Sequence, residues 1–469
     1  MKYSLAVLVG TTCLISLKLT AQNIPLLGAD LSYVNEMEDC GVVYRENGTA
    51  KDVFQIFADN GCNLARFRLW HTPSWYDTLN SGKRYSDYND VKKSIQRARA
   101  AQMKVLLDFH LSDFWADPSR QLCPAAWWNV VDNLPVLEDS LYHYVYSTLL
   151  NLNVAGALPE MVQIGNETNK GIMLSPAADA AGWSLNWYRN SRLFRMAIRA
   201  VRDVETVTGK SVRVALHIAG PADADWLLQG FEDSGVTDFD IIGLSYYWAW
   251  HQPTSIEDAG NIVAQLKARY PGKEVMIFET GYIWTNQSND NAANIISSVH
   301  PDYAPASPEN QRRWLTDMTM EVLNNGASGV IYWEPAWVSS PCFTSWGQGS
   351  HQEHATFFDF QNNLIGNGGV KMYDYQYTLT ESTPASVGVD LQVVADYTAS
   401  RLQVKFPLLE NGADVSVHIL SASGKTIRTI PVQPGARETT IPFSDMNKGV
   451  YYAALYNGSQ FIGVRGFLF

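Results

Sequence analysis

Charge is thin in this sequence. Charged residues make up 17% of its 469 positions, well below the usual fraction of about 25%. Lys and Arg form no cluster and the net charge is −12, so the phosphate contacts that nucleic-acid binding needs have no source. Cysteine is scarce at 5 residues, none of them in a CxxC pair, which argues against a zinc site. No segment outside the N-terminus reaches the ~18 consecutive apolar residues of a membrane-spanning helix. Disorder is excluded as well, because 46% of the chain is hydrophobic, enough to build a packed core.

The N-terminus carries an address. Lys2 gives a short positive start, Leu5 to Leu17 is largely apolar, and Leu19-Thr20-Ala21 supplies a small residue for cleavage. Residues 1–21 therefore read as a secretory signal peptide. Cys13 lies in that run after Thr12, not after the small Gly or Ala that a lipidated cysteine follows. Plain export is the reading, secreted, periplasmic or on the cell surface, with lipidation at Cys13 as the minor alternative. Cys40, Cys62, Cys123 and Cys342 remain, and their three pairings stay open.

Flat rings are abundant, with 15 Trp, 23 Tyr and 18 Phe, as suits a protein that handles sugars. Every Trp lies between Trp70 and Trp346. After Tyr377 the composition turns to Val, Thr, Ser and Gly, and 380–387 reads as a linker around Pro384. From 388 to 469 the apolar positions alternate, as in Val415, Val417 and Ile419, and Asn457-Gly458 signals a hairpin. The tail is expected to be a small β-sandwich, either a structural accessory domain or a sorting signal; Gly466-Phe467-Leu468-Phe469 omits the basic end such signals often have.

Between 24 and 379 short apolar runs recur, most of them ending in a polar or aromatic residue. They are Leu26–Ala29 before Asp30, Leu64–Leu69 before Trp70, Val105–Phe109 before His110 and Met161–Ile164 before Asn166. Val212–Leu216 before His217, Ile241–Leu244 before Tyr246, Val275–Phe278 before Glu279 and Val330–Tyr332 before Trp333 follow. Helical periodicity fills several of the gaps, as in Val91–Ala101, Tyr188–Val204 and Gln311–Leu323. Strand and helix alternating eight times predict an α/β fold, a (β/α)8 TIM barrel, followed by the β-sandwich. In that fold the run-ending residues share one mouth.

Glu167 closes the fourth run after Gly165-Asn166, and Glu279 closes the seventh. Two carboxylates across a barrel mouth are what glycoside cleavage requires: one acid for the leaving oxygen and one carboxylate on the other face of the sugar. Each alone reads more often than not as an ordinary loop carboxylate; the pair points to catalysis.

In these stretches the chain resembles glycoside hydrolase family 53, the endo-β-1,4-galactanases, over about residues 27–375. The stretches are Gly28–Ser32, Asn63–Trp70, Leu107–Pro118, Gly165-Asn166-Glu167, Gly243–Tyr247, Glu279–Tyr282 and Tyr332–Trp337, in family order. The resemblance implies a retaining mechanism with Glu167 as acid/base and Glu279 as nucleophile, their carboxyl groups about 5–5.5 Å apart. It sets Arg66 beside the nucleophile, where a positive charge favours the carboxylate, with hydrogen bonds from His217 and Tyr246. Asn166 is expected on the sugar 2-hydroxyl, Trp333 under the sugar at the cleavage point, and Asp108, His110, Asp113 and Trp115 in neighbouring subsites. Core under a long loop is the alternative for Trp115, and a barrel-interior salt bridge the alternative for Arg68.

The resemblance also has departures. Trp248 stands where the family more often has Pro, and Gly349–His354 fits only loosely. Bacterial relatives can hold a structural Ca²⁺ near the loop after the seventh strand; here Asn286, Asn289, Asp290 and Asn291 offer one carboxylate, a poor match to calcium's needs. A solvated loop is expected, with Asp290 as the one calcium candidate and His351 and His354 at the surface. No cofactor is required. The implied enzyme is a monomer acting on β-1,4-galactan. Mannan, xylan or glucan as substrate, and a non-catalytic galactan-binding protein, are the rival readings.

Overall fold

A computed structural model describes residues 24–181, 185–377, 392–396, 401–406, 415–421, 426–433, 435–442, 450–458 and 460–468. The signal peptide and the linker fall outside the described residues. Two compact units divide the chain, Met1–Leu379 and Thr380–Phe469.

The eight apolar runs form the eight strands of a closed parallel barrel. They are β1 Leu26–Asp30, β2 Leu64–Leu69, β3 Lys104–Phe109, β4 Met161–Ile164, β5 Arg213–Ala219, β6 Ile241–Ser245, β7 Glu274–Glu279 and β8 Gly329–Tyr332. Each pairs with its neighbours in sequence, and β1 closes against β8. The strands read as largely apolar runs because a parallel strand is covered on both faces. Helices α1 Val53–Asp59, α2 Tyr88–Ala100, α3 Leu134–Val154, α4 Trp187–Thr208, α5 Ala224–Asp233, α6 Ile256–Arg269 and α7 Pro308–Asn324 fill the crossovers. Several start on a side-chain cap: Asp52, Asp87, Asn186, Ser255 and Ser307 each accept a backbone N–H of the first turn, which satisfies donors the helix itself leaves open. No α-helix follows β8 among the described residues. A 3₁₀ turn, Gly369–Met372, packs there on α7, and the Gly369 N–H donates to Gln311 Oε1 at 3.0 Å.

Alternate residues of each strand point inward. Low in the barrel they are apolar: Leu26, Leu64, Leu106, Met161, Ala215, Ile241, Met276, Phe278 and Ile331 form one buried cluster. Two residues further along, the same faces turn polar with Arg66, Asp108, Gln163 and His217. An apolar plug thus carries a polar layer, and that layer is the floor of the mouth. Gly243 is part of this arrangement, since a Cβ there would come within 2.2 Å of the Phe278 ring.

Of the three cysteine pairings, Cys40–Cys342 is formed, while Cys62 and Cys123 are buried thiols. The bonded pair joins the loops after β1 and β8, which barrel closure makes neighbours.

The tail holds two antiparallel sheets. One orders β9 Gln392–Asp396, β10 Arg401–Lys405 and β13 Glu438–Pro442; the other orders β12 Thr426–Pro431, β11 Val415–Ser421, β14 Val450–Asn457 and β15 Gln460–Leu468. Leu402, Val404, Ile441, Val417, Ile419, Ala453 and Leu455 share one core, so the sheets form the expected sandwich. Among the described residues no helix is long and apolar enough to cross a membrane.

Candidate active site

After β4 the backbone turns sharply. Gly165 has φ 74° and Glu167 φ 47°, a left-handed conformation that strains a non-glycine residue. At Gly165 a Cβ would sit 2.6 Å from Thr168 Cγ2. Neighbours hold the turn. Gln121 Nε2 donates to the carbonyls of Asn166 at 2.7 Å and Glu167 at 3.1 Å, and the Glu167 N–H donates to His217 Nδ1 at 3.3 Å. The strained turn lifts the Glu167 carboxyl into the cleft.

Arg66, on β2, is the hub of the polar layer and is 1% exposed. Its Nη1 lies 2.8 Å from both Asp30 and Glu279, and its Nη2 lies 2.9 Å from Asp108. Nη2 also donates to Asn166 Oδ1 at 2.8 Å and Nε to Gln163 Oε1 at 3.1 Å. Every guanidinium nitrogen is engaged, as a buried cation requires. Gln163 then donates to Asp108 at 2.9 Å and lies 3.1 Å from Asn166 Oδ1 and His217 Nδ1. This one amide ties strands β2, β3, β4 and β5 together.

Glu279 receives a second contact from the Tyr247 hydroxyl, which donates to Oε2 at 3.1 Å. The pair to Glu279 was expected from Tyr246, and the structure corrects this. Tyr246 OH donates to the Thr254 carbonyl at 2.9 Å, and its ring packs on Trp314. Tyr247 continues the inward face of Ile241, Gly243 and Ser245 and so faces the mouth, while Tyr246 falls on the outward face.

Glu167 and Glu279 both line the cleft, a cavity of about 1090 Å³. Burial first, then repulsion from Glu279, pushes the Glu167 carboxyl up to about 8. Burial also raises Glu279, to about 7, but there Arg66 and the Tyr247 hydroxyl oppose it. Of the two, Glu279 is the first to ionise, because it alone is ion-paired with Arg66. Burial and Arg66 push His217 well below its ordinary value, so that ring is neutral. Burial works on Asp108 too, but His110 and Arg66 outweigh it and hold that carboxyl low.

These shifts carry a stability prediction. A carboxyl raised on folding binds its proton more tightly in the native state, so stability is greatest below the unfolded value near 4.5 and is lost as pH rises through about 8. The melting temperature is expected to fall between pH 5 and pH 8, and to fall less in Glu167→Gln. Equal slopes for variant and parent, measured by calorimetry, would remove Glu167 as the cause.

The remaining expected site residues divide. Trp115, Asn166 and Trp333 line the cleft. Trp115 and Trp333 meet edge to face at 5.9 Å, with Trp337 at 6.1 Å from Trp333. Asn166 is committed at both ends, since Nδ2 donates to the Ala116 carbonyl at 2.8 Å. Asp108 and His110, expected in subsites, are buried instead beneath the cleft: Asp108 is held by Arg66, and His110 Nδ1 lies 2.8 Å from its Oδ2. Asp113 accepts the Thr72 and Ala125 N–H groups, each at 2.8 Å, and acts as a loop brace outside the cleft lining. His217 lies under the Glu167 backbone rather than beside Glu279.

Arg68 is the interior salt bridge of its alternative reading. It pairs with buried Glu334 at 3.1 Å and stacks over Trp115 at 4.1 Å.

The loop after β7 is exposed at 286–289 and at Asn291, as expected, but is tied down around Asp290. Asp290 accepts the Ala292 and Ser350 N–H groups, each at 2.8 Å. Buried Glu353 accepts the Asn289 N–H, and His351 and His354, expected at the surface, are both buried. His351 lines the cleft from beneath Trp337 and Trp346. No group of three His, Cys, Asp or Glu suited to a metal occurs among the described residues.

Residues 26–367 match the model of glycosyl hydrolase family 53. The chain belongs to that family. As a family 53 hydrolase it is 46% identical to the arabinogalactan endo-beta-1,4-galactanase of Cellvibrio japonicus (strain Ueda107) over 350 residues, 74% of this chain and 90% of that protein. It is 35% identical to the endo-beta-1,4-galactanase of Bacillus subtilis (strain 168), over 66% of this chain and 70% of that one. Among solved structures the Ignisphaera aggregans GH53 catalytic domain aligns with a TM-score of 0.65 at 32% identity, covering 74% of this family 53 chain and 95% of its own. Residues 398–465 match the secretion system C-terminal sorting domain. The sandwich is thus of the sorting kind, and this hydrolase is an exported enzyme.

Asp30 was expected at the mouth as a run-ending residue, whereas Gln163, Tyr247 and Glu334 had no role assigned from the sequence alone. Gln163 was hidden inside an apolar run, but a polar residue at the third position of a four-residue buried strand is itself a signal.

Proposed function

We propose that this chain is a secreted, retaining endo-β-1,4-galactanase acting on the galactan side chains of pectin. The observation that carries the reading is the contrast between two carboxyls in one cleft. Glu279 is ion-paired with Arg66 at 2.8 Å, whereas Glu167 has burial and repulsion working to keep its proton. That is the division of labour double displacement needs.

Glu279 attacks the anomeric carbon of one galactosyl unit. The bond from that carbon to the O4 of the next unit breaks, and Glu167 gives its proton to the departing oxygen. Water then attacks the galactosyl ester while Glu167, now a base, takes a proton from it. Two inversions restore the β configuration. Tyr247 and Arg66 hold Glu279 in line, and Trp333 and Trp115 offer ring faces to the sugar. The relatives named above are galactanases, which favours galactan over mannan, xylan or glucan, and an idle binding protein has no need of the paired carboxyls. The mouth is complete within one chain, consistent with a monomer. The chemistry asks for no metal, and residues 24–379 hold every group it uses.

Product analysis of the purified enzyme on galactan, mannan, xylan and β-glucan tests the reading. Release of β-1,4-galactooligosaccharides from galactan is the expected result. Faster cleavage of any of the other three would sink it.

A further inference from the structure

A second cavity, of about 350 Å³, is lined by Pro118, Asn169, Ala219, Asp223, Trp226 and His251. Its place relative to the cleft follows from the chain. Asp117 and Trp250 line the cleft, and Pro118 and His251, their next residues, line the cavity. Glu167 lines the cleft and Asn169, two residues on, lines the cavity. The cavity therefore adjoins the cleft on the flank of β4, β5 and β6. Strand order puts that flank across the barrel from β8, whose loop supplies Trp333, Trp337 and Trp346.

Its chemistry suits a sugar. Trp226 is 36% exposed, and its indole N–H donates to Asp223 Oδ1 at 3.2 Å, which steers the flat ring. Asp223 is an exposed carboxylate that accepts hydrogen bonds. The Tyr247 N–H donates to His251 Nδ1 at 3.0 Å, so the neutral ring carries its hydrogen on Nε2 and can donate. Gly220, at φ 80°, keeps space open, because a Cβ there would lie 3.1 Å from His251 Cδ2. A ring face, a donor and an acceptor within one small cavity match the apolar face and the hydroxyl rim of a galactosyl unit.

We infer that this cavity is a galactan subsite on the reducing-end side of the bond cleaved, beyond the first leaving unit, with Trp226 as its platform. The inference rests on the function proposed above, because Glu167 as the acid fixes which flank receives the leaving group. Trp250, 48% exposed over Tyr247, stands between the catalytic centre and the cavity as the intermediate surface.

The test compares galactan with 4-nitrophenyl β-1,4-galactobioside, whose leaving group carries no sugar. Trp226→Ala is expected to lower kcat/KM on galactan about tenfold, the scale of one lost sugar-face contact, and to leave the nitrophenyl substrate within about twofold of the parent. Trp226→Phe is expected to recover most of the loss. On galactohexaose the alanine variant should shift cleavage so that fewer units lie on the reducing-end side. Equal losses on both substrates would mean that Trp226 acts through the fold, and an unchanged galactan rate with an unchanged hexaose pattern would mean an idle cavity; either overturns the inference. Failure of the underlying reading shows separately, as a parent enzyme that turns over the nitrophenyl substrate but not galactan.

Discussion

Glu279→Ala is expected to lower galactan turnover by at least about 10⁴-fold, because the covalent intermediate has no other acceptor. The loss should come with a chemical signature. Removing the carboxylate leaves room on the face opposite the leaving oxygen, and azide can enter there. With an activated aryl galactoside, azide is expected to restore turnover and give the α-galactosyl azide, the product of one inversion. Glu167→Ala should behave differently. Its first step survives on a leaving group that needs no proton, so activity on the aryl substrate should persist while galactan cleavage falls by about 10²–10⁴-fold. Azide rescue of the Glu167 variant giving the β-azide is compatible with these roles; rescue of the Glu279 variant giving the β-azide is not. The raised Glu167 carboxyl adds a pH test: kcat/KM should fall as pH rises past about 8, where the acid loses its proton.

Arg66→Met is expected to cost more stability than any other single change in the mouth. Asp30 and Asp108 are both fully buried and Glu279 nearly so, and all three lean on this one guanidinium. Breaking a buried ion pair from one side costs about 3–5 kcal/mol, since the partner is left charged without compensation. That corresponds to a fall in melting temperature of roughly 10 °C. Activity should fall as well, with the acid limb of the pH profile moved upward, because Glu279 then ionises less readily. Arg66→Lys keeps the charge but not the fork of donors and should recover only part of either loss. A melting temperature within a degree of the parent would show that the three carboxyls reach neutrality by another route.

Much of this was legible in the sequence, for a physical reason. Parallel barrel strands are buried on both faces, so β2 and β4 stood out as largely apolar runs with the same limits as in the structure. The two catalytic candidates followed from their places at the ends of β4 and β7. What escaped depends on contacts that no run reveals. Tyr247 is an exception, since the two-residue period of β6 counted on from Ile241 and Gly243 points to it rather than to Tyr246. Asp108 lies inside β3 on the inward face after Leu106, so it belongs to the buried polar layer, and His110 is held against it. His351 and His354 were expected at the surface because no third metal ligand accompanies them, although the loop after β7 folds over them. The cysteine pairing needed only one more inference: in a closed barrel the first and last strands are neighbours.

That pairing has a consequence for an exported protein. Cys40 and Cys342 are 302 residues apart, and both catalytic candidates lie between them. A protease that cuts an exposed loop once within that interval does not release a fragment. The cut chain is still one covalent molecule, with its first and eighth strands fastened at the rim, and the strands on either side of the nick remain paired to neighbours that are tethered. A preparation clipped once in this way would run as a single species until a reductant was added, and only then would it come apart into pieces.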